Sequence, residues 1–226
     1  MKVIITGSEG LIGKKISEMF EDDGYEVIRC DLSLGHDLTN EQFVIEFFQK
    51  NKAPYLLNLF GLNSVVDENN LFNISLESFS KYLNTNLTAL FSVCREYSRN
   101  NSCGSIVNVS SLYSIKSPDP KLYKQFEGDD SQKHIAYGVS KAGVEQMTRH
   151  LGVHLAPNIR VNCVAPGGVE ADNIDEKFCK KFRKKVPLGR QQKASELYGI
   201  FKFLCSEESS YATCETFRIN GGYGVS

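Results

Sequence analysis

Short apolar, β-branched runs alternate along the whole chain with segments whose apolar residues recur every three or four positions. Val3–Thr6 predicts a buried strand, and Leu11, Ile12, Ile16, Met19 and Phe20 predict a helix that Gly24 ends. Glu26–Asp31 predicts the second strand, Asn40–Asn51 a helix, and Pro54–Phe60 a third strand. Ser75–Arg99 predicts one long helix with Leu76, Phe79, Leu83, Leu87, Leu90, Phe91 and Cys94 inward. Gly104–Ser110 reads as a strand. His134–Ala156 reads as a helix with the row Ile135, Val139, Gly143, Met147, Leu151 and Leu155, stopped by Pro157. Ile159–Ala165 is a strand, Pro166-Gly167-Gly168 a turn, residues 174–185 and 194–205 helices, and Thr216–Ile219 a last strand.

This alternation implies an α/β fold: a doubly wound, mostly parallel sheet of Rossmann type with helices on both faces, in a single domain over residues 1–226. One place departs from it. Only five residues separate Asp31 from Asp37, too few for a crossover helix, so His36-Asp37-Leu38 is expected to form a short edge strand or an extended loop.

Composition narrows the function classes. Hydrophobic residues make up 41% and charged residues 23%, which places the chain among folded soluble proteins. A formal charge of -1 gives no general attraction to nucleic acid. The longest apolar runs fall well short of the roughly 20 residues that span a bilayer, and the N-terminus enters a strand at once rather than a signal peptide. Seven scattered cysteines without a C-x-x-C pair read as reduced core residues, not a disulfide framework or a metal site. The expectation is a cytoplasmic protein with a small-molecule substrate, without nucleic-acid, membrane or metal partners.

Candidate chemistry begins at Thr6-Gly7-Ser8-Glu9-Gly10-Leu11-Ile12-Gly13, between a strand and a helix. There Gly7 permits a sharp turn, Gly10 lets the backbone approach a pyrophosphate, and Gly13 lets the helix pack close to the sheet. The free N–H groups at the helix start favour phosphate. Asp31 ends the second strand 18 residues after Gly13. A carboxylate there can accept both adenosine ribose hydroxyls and would repel a 2′-phosphate. Glu9 adds negative charge, and no Arg or Lys lies in the turn or just after Asp31. NAD(H) is therefore expected over NADP(H). Tyr137 and Lys141 stand at i and i+4, on one helical face, where an ammonium can lower the phenol's pKa and make Tyr137 a general acid/base.

With Asn58-Leu59-Phe60-Gly61, Asn86, Ser110-Ser111, Tyr137…Lys141, Pro166-Gly167 and Asn220-Gly221-Gly222 in order, the chain resembles the short-chain dehydrogenase/reductase family over essentially its whole length. The resemblance implies catalytic roles for Asn86, Ser111, Tyr137 and Lys141. Ser111 would bond the substrate oxygen, with Ser110 as its alternative, and Asn86 would anchor a water linking Lys141 to solvent. It also implies cofactor contacts from the glycine turn (Gly7, Glu9, Gly10, Leu11, Ile12, Gly13), Asp31, Asp37, Leu38, Asn58, Gly61, Tyr137, Lys141, Pro166, Gly167 and Val169. Association through the two long helices, as a homodimer or homotetramer, follows from the same resemblance.

Four features depart from the family pattern. The G-x-x-G-x-x-G spacing resembles the sugar-nucleotide branch, without room for its extra domain. Ser111 and Tyr137 lie 26 residues apart, so 112–134 is an active-site insertion of the kind found in bacterial flagellin or cell-surface sugar-modifying reductases, or else a surface elaboration. Ala171 stands where a Thr often bonds the carboxamide, and the missing crossover opens the adenine side. Lys177, Lys180, Lys181, Arg183, Lys184 and Lys185 form a basic run that, placed over the cleft, would attract a phosphorylated or carboxylated substrate. Four readings stay open: an oxidoreductase of sugar-like hydroxyl or keto groups, a 3-oxoacyl-thioester reductase, an epimerase or dehydratase, and a non-catalytic dinucleotide-binding or scaffold protein.

Overall fold

A computed structural model describes residues 1–63, 71–124, 132–172 and 175–224. Six parallel strands form one sheet in the order β2-β1-β3-β4-β5-β6: β1 (Lys2–Thr6), β2 (Glu26–Cys30), β3 (Tyr55–Asn58), β4 (Gly104–Val109), β5 (Ile159–Pro166) and β6 (Thr216–Ile219). The central strands are apolar on both faces because helices cover both. One layer packs α2 (Glu41–Lys50), α4 (Ala89–Asn100) and α6 (Ile135–Leu155) through Phe48, Val93, Tyr97 and Val144; the other packs α1 (Leu11–Asp22) and α8 (Tyr198–Leu204) through Ile16, Phe20 and Phe201.

The chain leaves β1 for β2 on one side and then crosses to β3 on the other. The crevice at the strands' carboxyl ends therefore opens between β1 and β3, where doubly wound sheets bind ligands. A buried polar relay holds those strand ends in register. Thr6 donates to Asn58 (2.9 Å), Asn58 to Asn108 (2.9 Å), and Asn108 to Thr148 on α6 (3.0 Å).

The structure refines these expectations. Of the two alternatives for residues 36–38 the structure has the loop, not the strand: a short turn, Leu32–Leu34, capped by the Asp31 side chain leads through it to α2, which itself makes the crossover to β3. This leaves β2 as the sheet edge. The long helix expected over Ser75–Arg99 is continuous, but a π-type turn divides it into two α-helical stretches. Ser75 caps α3 (Leu76–Leu83), a wider π-type turn runs over Asn84–Thr88, and α4 follows. The predicted inward face is partly wrong too. Leu76 and Phe91, expected inward, are exposed in the monomer, as are Ile135 and Val139 of the α6 row, while the buried face of α6 runs through Tyr137, Lys141, Val144 and Thr148. The segment predicted helical over 174–185 is α7 (Glu176–Arg183), and position 174 lies outside the described residues. Residues 194–205 divide into a tight turn and α8.

Of segment 112–134, expected as an insertion, residues 125–131 lie outside the described residues. The remainder forms a turn at Leu112–Ser114 and the short α5 (Pro120–Tyr123), which pack on α7 through Leu122, Phe182 and Val186. Lys181 donates to the backbone oxygens of Lys121 (2.9 Å) and Lys124 (2.6 Å), and Lys185 pairs with Asp119 (2.7 Å). Two members of the basic run thus fasten the insertion to α7. Arg183 lies by Glu176, and Lys177 faces the cleft.

Candidate active site

The glycine turn is built by steric necessity. Gly7 takes φ +71°, and a Cβ there would lie 2.5 Å from the Phe60 nitrogen; a Cβ on Gly13 would lie 1.9 Å from the Gly7 oxygen. The turn is thus wedged between α1 and the chain leaving β3. Gly10 occupies the N-cap of α1 without a side-chain cap, and no acid stands in the first helical turn. The helix start therefore keeps N–H groups for an anion.

Asp31 lies just past β2. Its carboxylate accepts the Glu9 N–H (3.1 Å), the Ser33 N–H (2.9 Å) and the Ser33 hydroxyl (2.8 Å). Burial opposes its charge, but these hydrogen bonds prevail and hold the group below its ordinary value. The fold brings to this corner a cation that reading along the chain missed. Arg29 pairs with Glu9 (2.9 Å) and Glu21 (2.9 Å), so both of its amino groups are committed. Further along, Asp37 folds onto its own loop at Thr39, Leu38 is buried in the core, and Asn58 belongs to the polar relay.

A cavity of about 750 Å³ runs from the glycine turn to the insertion. It brings together Gly10, Leu11, Ile12, Gly13, Gly61, Ser111, Tyr137, Lys141, Pro166, Gly167 and Val169, with Ala171 also in its wall. Tyr137, Lys141, Ser111 and Asn86 are all buried. Burial pushes the Tyr137 phenol above its ordinary value, while its hydrogen bond with Ser111 works the other way. Burial also pushes the Lys141 ammonium down to about 8. Its Nζ lies 6.0 Å from the Tyr137 ring centre and donates to the Val109 oxygen (2.9 Å).

The π-type turn gives Asn86 its position. The extra residue in that turn directs its amide inward, where Oδ1 accepts the Leu62 N–H (2.7 Å) and Nδ2 donates to the Leu62 oxygen (3.1 Å) and to Ser140 (2.9 Å). This clamp sets Gly61 so near Lys141 that a Cβ would lie 3.3 Å from Nζ. Of the two serines, Ser110 donates to the Lys141 backbone oxygen (2.7 Å), which leaves Ser111 as the hydroxyl beside Tyr137.

Two groups escaped the reading along the chain. Glu145, buried one helical turn beyond Lys141, accepts from Ser114 and lies by Ser110 (3.4 Å) and Arg218 (3.0 Å), which braces the Ser110-Ser111 loop from behind. Lys133, four residues before Tyr137, places Nζ 4.7 Å from the Tyr137 ring centre. Its spacing mirrors that of Lys141, but it precedes the helix, so no periodic pattern marks it.

Known proteins share this architecture. The family model described as enoyl-(acyl carrier protein) reductase matches residues 2–224. A 3-oxoacyl-(acyl-carrier-protein) reductase, FabG, of Aquifex aeolicus is 31% identical over 97% of the chain and 86% of its own length. Glucose 1-dehydrogenase 2 of Bacillus subtilis is 28% identical over 97% and 93%. The crystal structure of a short-chain dehydrogenase from Leptospira borgpetersenii with bound NAD+ superposes with a TM-score of 0.84 at 27% identity, covering 98% of this chain and 92% of that one.

Proposed function

The chain belongs to the short-chain dehydrogenase/reductase family, and from that premise we propose that it is an NAD(H)-dependent oxidoreductase of a hydroxyl or keto group on a sugar or sugar derivative. The observation that carries this reading is the convergence of Ser111, Tyr137 and Lys141 on one cavity that continues to the glycine turn. The uncapped start of α1 and the close Gly7–Gly13 packing fit a dinucleotide pyrophosphate. When bound there, the nicotinamide supplies or accepts the hydride.

This chain's own residues manage the proton. Ser111 holds the reacting oxygen by a hydrogen bond. Tyr137 gives its hydroxyl proton to that oxygen in reduction and takes one back in oxidation. The Lys141 ammonium favours the phenolate, and Asn86 positions the loop at Gly61 against it. Pro166, Gly167 and Val169 line the cavity wall and would cover the nicotinamide.

NAD(H) preference is supported by the charged Asp31 carboxylate at the end of β2 and by Arg29, whose amino groups are already paired. A sugar-like substrate is supported by the polar lining at the insertion end of the cavity, where Asn63, Gln132, Lys133 and Lys177 stand. Glucose 1-dehydrogenase among the relatives points the same way. A 3-oxoacyl-thioester substrate is the second reading, favoured by the name of the Aquifex relative and by the apolar wall of Leu122, Phe178 and Phe182. Membership of the flagellin or cell-surface sugar-modification subgroup finds no support among the relatives named above. Exposed Phe91, Ile135 and Val139 on α4 and α6 support a homodimer or homotetramer. No helix among the described residues is long and apolar enough to cross a membrane.

Tyr137→Phe tests the assignment. NADH binding stays at the wild-type level, and turnover of a panel of keto-sugars and a 3-oxoacyl thioester falls at least about a thousandfold. Turnover within tenfold of wild type refutes it.

A further inference from the structure

Lys133 belongs to no part of the hydride and proton chemistry described above, yet it stands in the same cavity. The charged side chains lining that cavity are Lys124, Lys133, Lys141, Lys177 and, as the one acid among the described residues, Asp175. Asp175 caps α7 by accepting the Phe178 N–H (2.9 Å). Lys141 is committed to Tyr137 and the Val109 oxygen. Lys133 is half-buried, donates to the Asn63 backbone oxygen (3.0 Å), and has no carboxylate partner among the described residues.

A half-buried ammonium whose partners among the described residues are one neutral acceptor and an aromatic ring is incompletely compensated, and an opposite charge offsets the remaining cost. Burial pushes Lys133 down to about 8, and an arriving anion pairs with its ammonium and holds the proton more firmly. Lys177 stands in the same cavity wall and adds a second positive charge. Because Lys133 lies 4.7 Å from the ring of Tyr137, the anion it meets is only a few bonds from the reacting carbon.

Resting on the oxidoreductase reading, we propose that Lys133 is a specificity-determining residue that binds a carboxylate or phosphate carried by the substrate close to its reacting hydroxyl or keto group. The substrate class is then an acidic or phosphorylated keto-sugar. A 3-oxoacyl thioester carries no charge near its keto group and leaves Lys133 unpaired. The anion-reading role, expected of the basic run on α7, falls chiefly to Lys133, since Lys181 and Lys185 are spent on the insertion.

The test is calorimetric titration of the wild-type protein saturated with NAD+, using three probes: 5-keto-D-gluconate for a carboxylate, D-fructose 6-phosphate for a phosphate, and D-fructose as the neutral reference. At low salt, at least one anionic probe binds about tenfold or more tightly than fructose, as one charge-assisted contact provides. The probe that does so names the acid group. Lys133→Met closes that gap without changing NADH affinity or lowering the melting temperature, whereas Lys133→Arg keeps it. Equal affinity for all three probes, no measurable binding of any, or a gap that survives Lys133→Met overturns the proposal. NADH oxidation with the same probes is read separately. Anion-selective binding without turnover of any ketone counts against the oxidoreductase reading and leaves the anion site standing.

Discussion

Gly13→Ala puts the cofactor seat under the most direct steric load. The added methyl would sit 1.9 Å from the Gly7 oxygen, where ordinary contact begins at about 3.4 Å, so the two backbones must part by about 1.5 Å. Neither side yields easily. The Gly7 N–H is bonded to the Cys30 oxygen (2.7 Å), and the Gly7 α-carbon is already backed by Phe60. An overpacking cost of about 3 kcal/mol follows, the upper end for a core without give. For a chain of this length that lowers the melting temperature by roughly 6–12 °C. The same displacement moves the start of α1 away from the pyrophosphate position, and NADH affinity falls by about a hundredfold. Gly10→Ala is the control, because its methyl meets the Gly7 oxygen at 3.4 Å. It costs about 1 kcal/mol at the N-cap but still weakens NADH, since the methyl projects into the phosphate approach. The assays are thermal unfolding and NADH fluorescence titration, the latter helped by the absence of tryptophan. Wild-type NADH affinity in a folded Gly13→Ala protein would refute the assignment of this turn.

Three further outcomes follow from the site. Asn86→Ala removes three hydrogen bonds and strands the Leu62 N–H, costing about 1–3 kcal/mol; melting temperature and kcat both fall, and a kcat unchanged at full loading would separate Asn86 from Lys141. Lys141 sits below its ordinary value at about 8, so from pH 8 to 10.5 the unfolded chain binds more protons and its cost to stability is progressively lifted as pH rises. Lys141→Met therefore melts above wild type at pH 7, the difference shrinks toward pH 10.5, and wild-type kcat declines as pH rises through about 8; a difference that grows with pH contradicts this. Asp31→Asn keeps the Ser33 contacts through Oδ1, puts an amide donor where the other oxygen accepts the Glu9 N–H, and drops the charge, so the NADH-over-NADPH affinity ratio narrows; an unchanged ratio assigns the selectivity elsewhere.

How far the chain could be read depended on whether the signal was local. The α6 boundaries were legible because His134 caps that helix through Nδ1 and Pro157 ends it, and the i, i+4 spacing of Tyr137 and Lys141 needed only a helix to have meaning. The π-type turn at Asn84–Thr88 was not legible, because apolar residues continue at helical spacing through it and the Leu62 backbone that Asn86 meets there is distant in sequence. Leu76 and Phe91 read as inward because an apolar residue facing solvent or a partner has the same spacing as one facing the sheet. The loss of a strand after Asp31 showed in the sequence as a length too short for a crossover, but the way the chain closes the gap, with α2 returning straight to β3, did not. Arg29 beside Glu9, and Lys133 beside Tyr137, are tertiary facts that no motif announces.

The most direct test of the account titrates the wild-type protein into NADH and, separately, into NADPH, following cofactor fluorescence. NADH binds about tenfold or more tightly if the Asp31 carboxylate receives the adenosine ribose. Tighter NADPH binding, or no binding of either by folded protein, contradicts it.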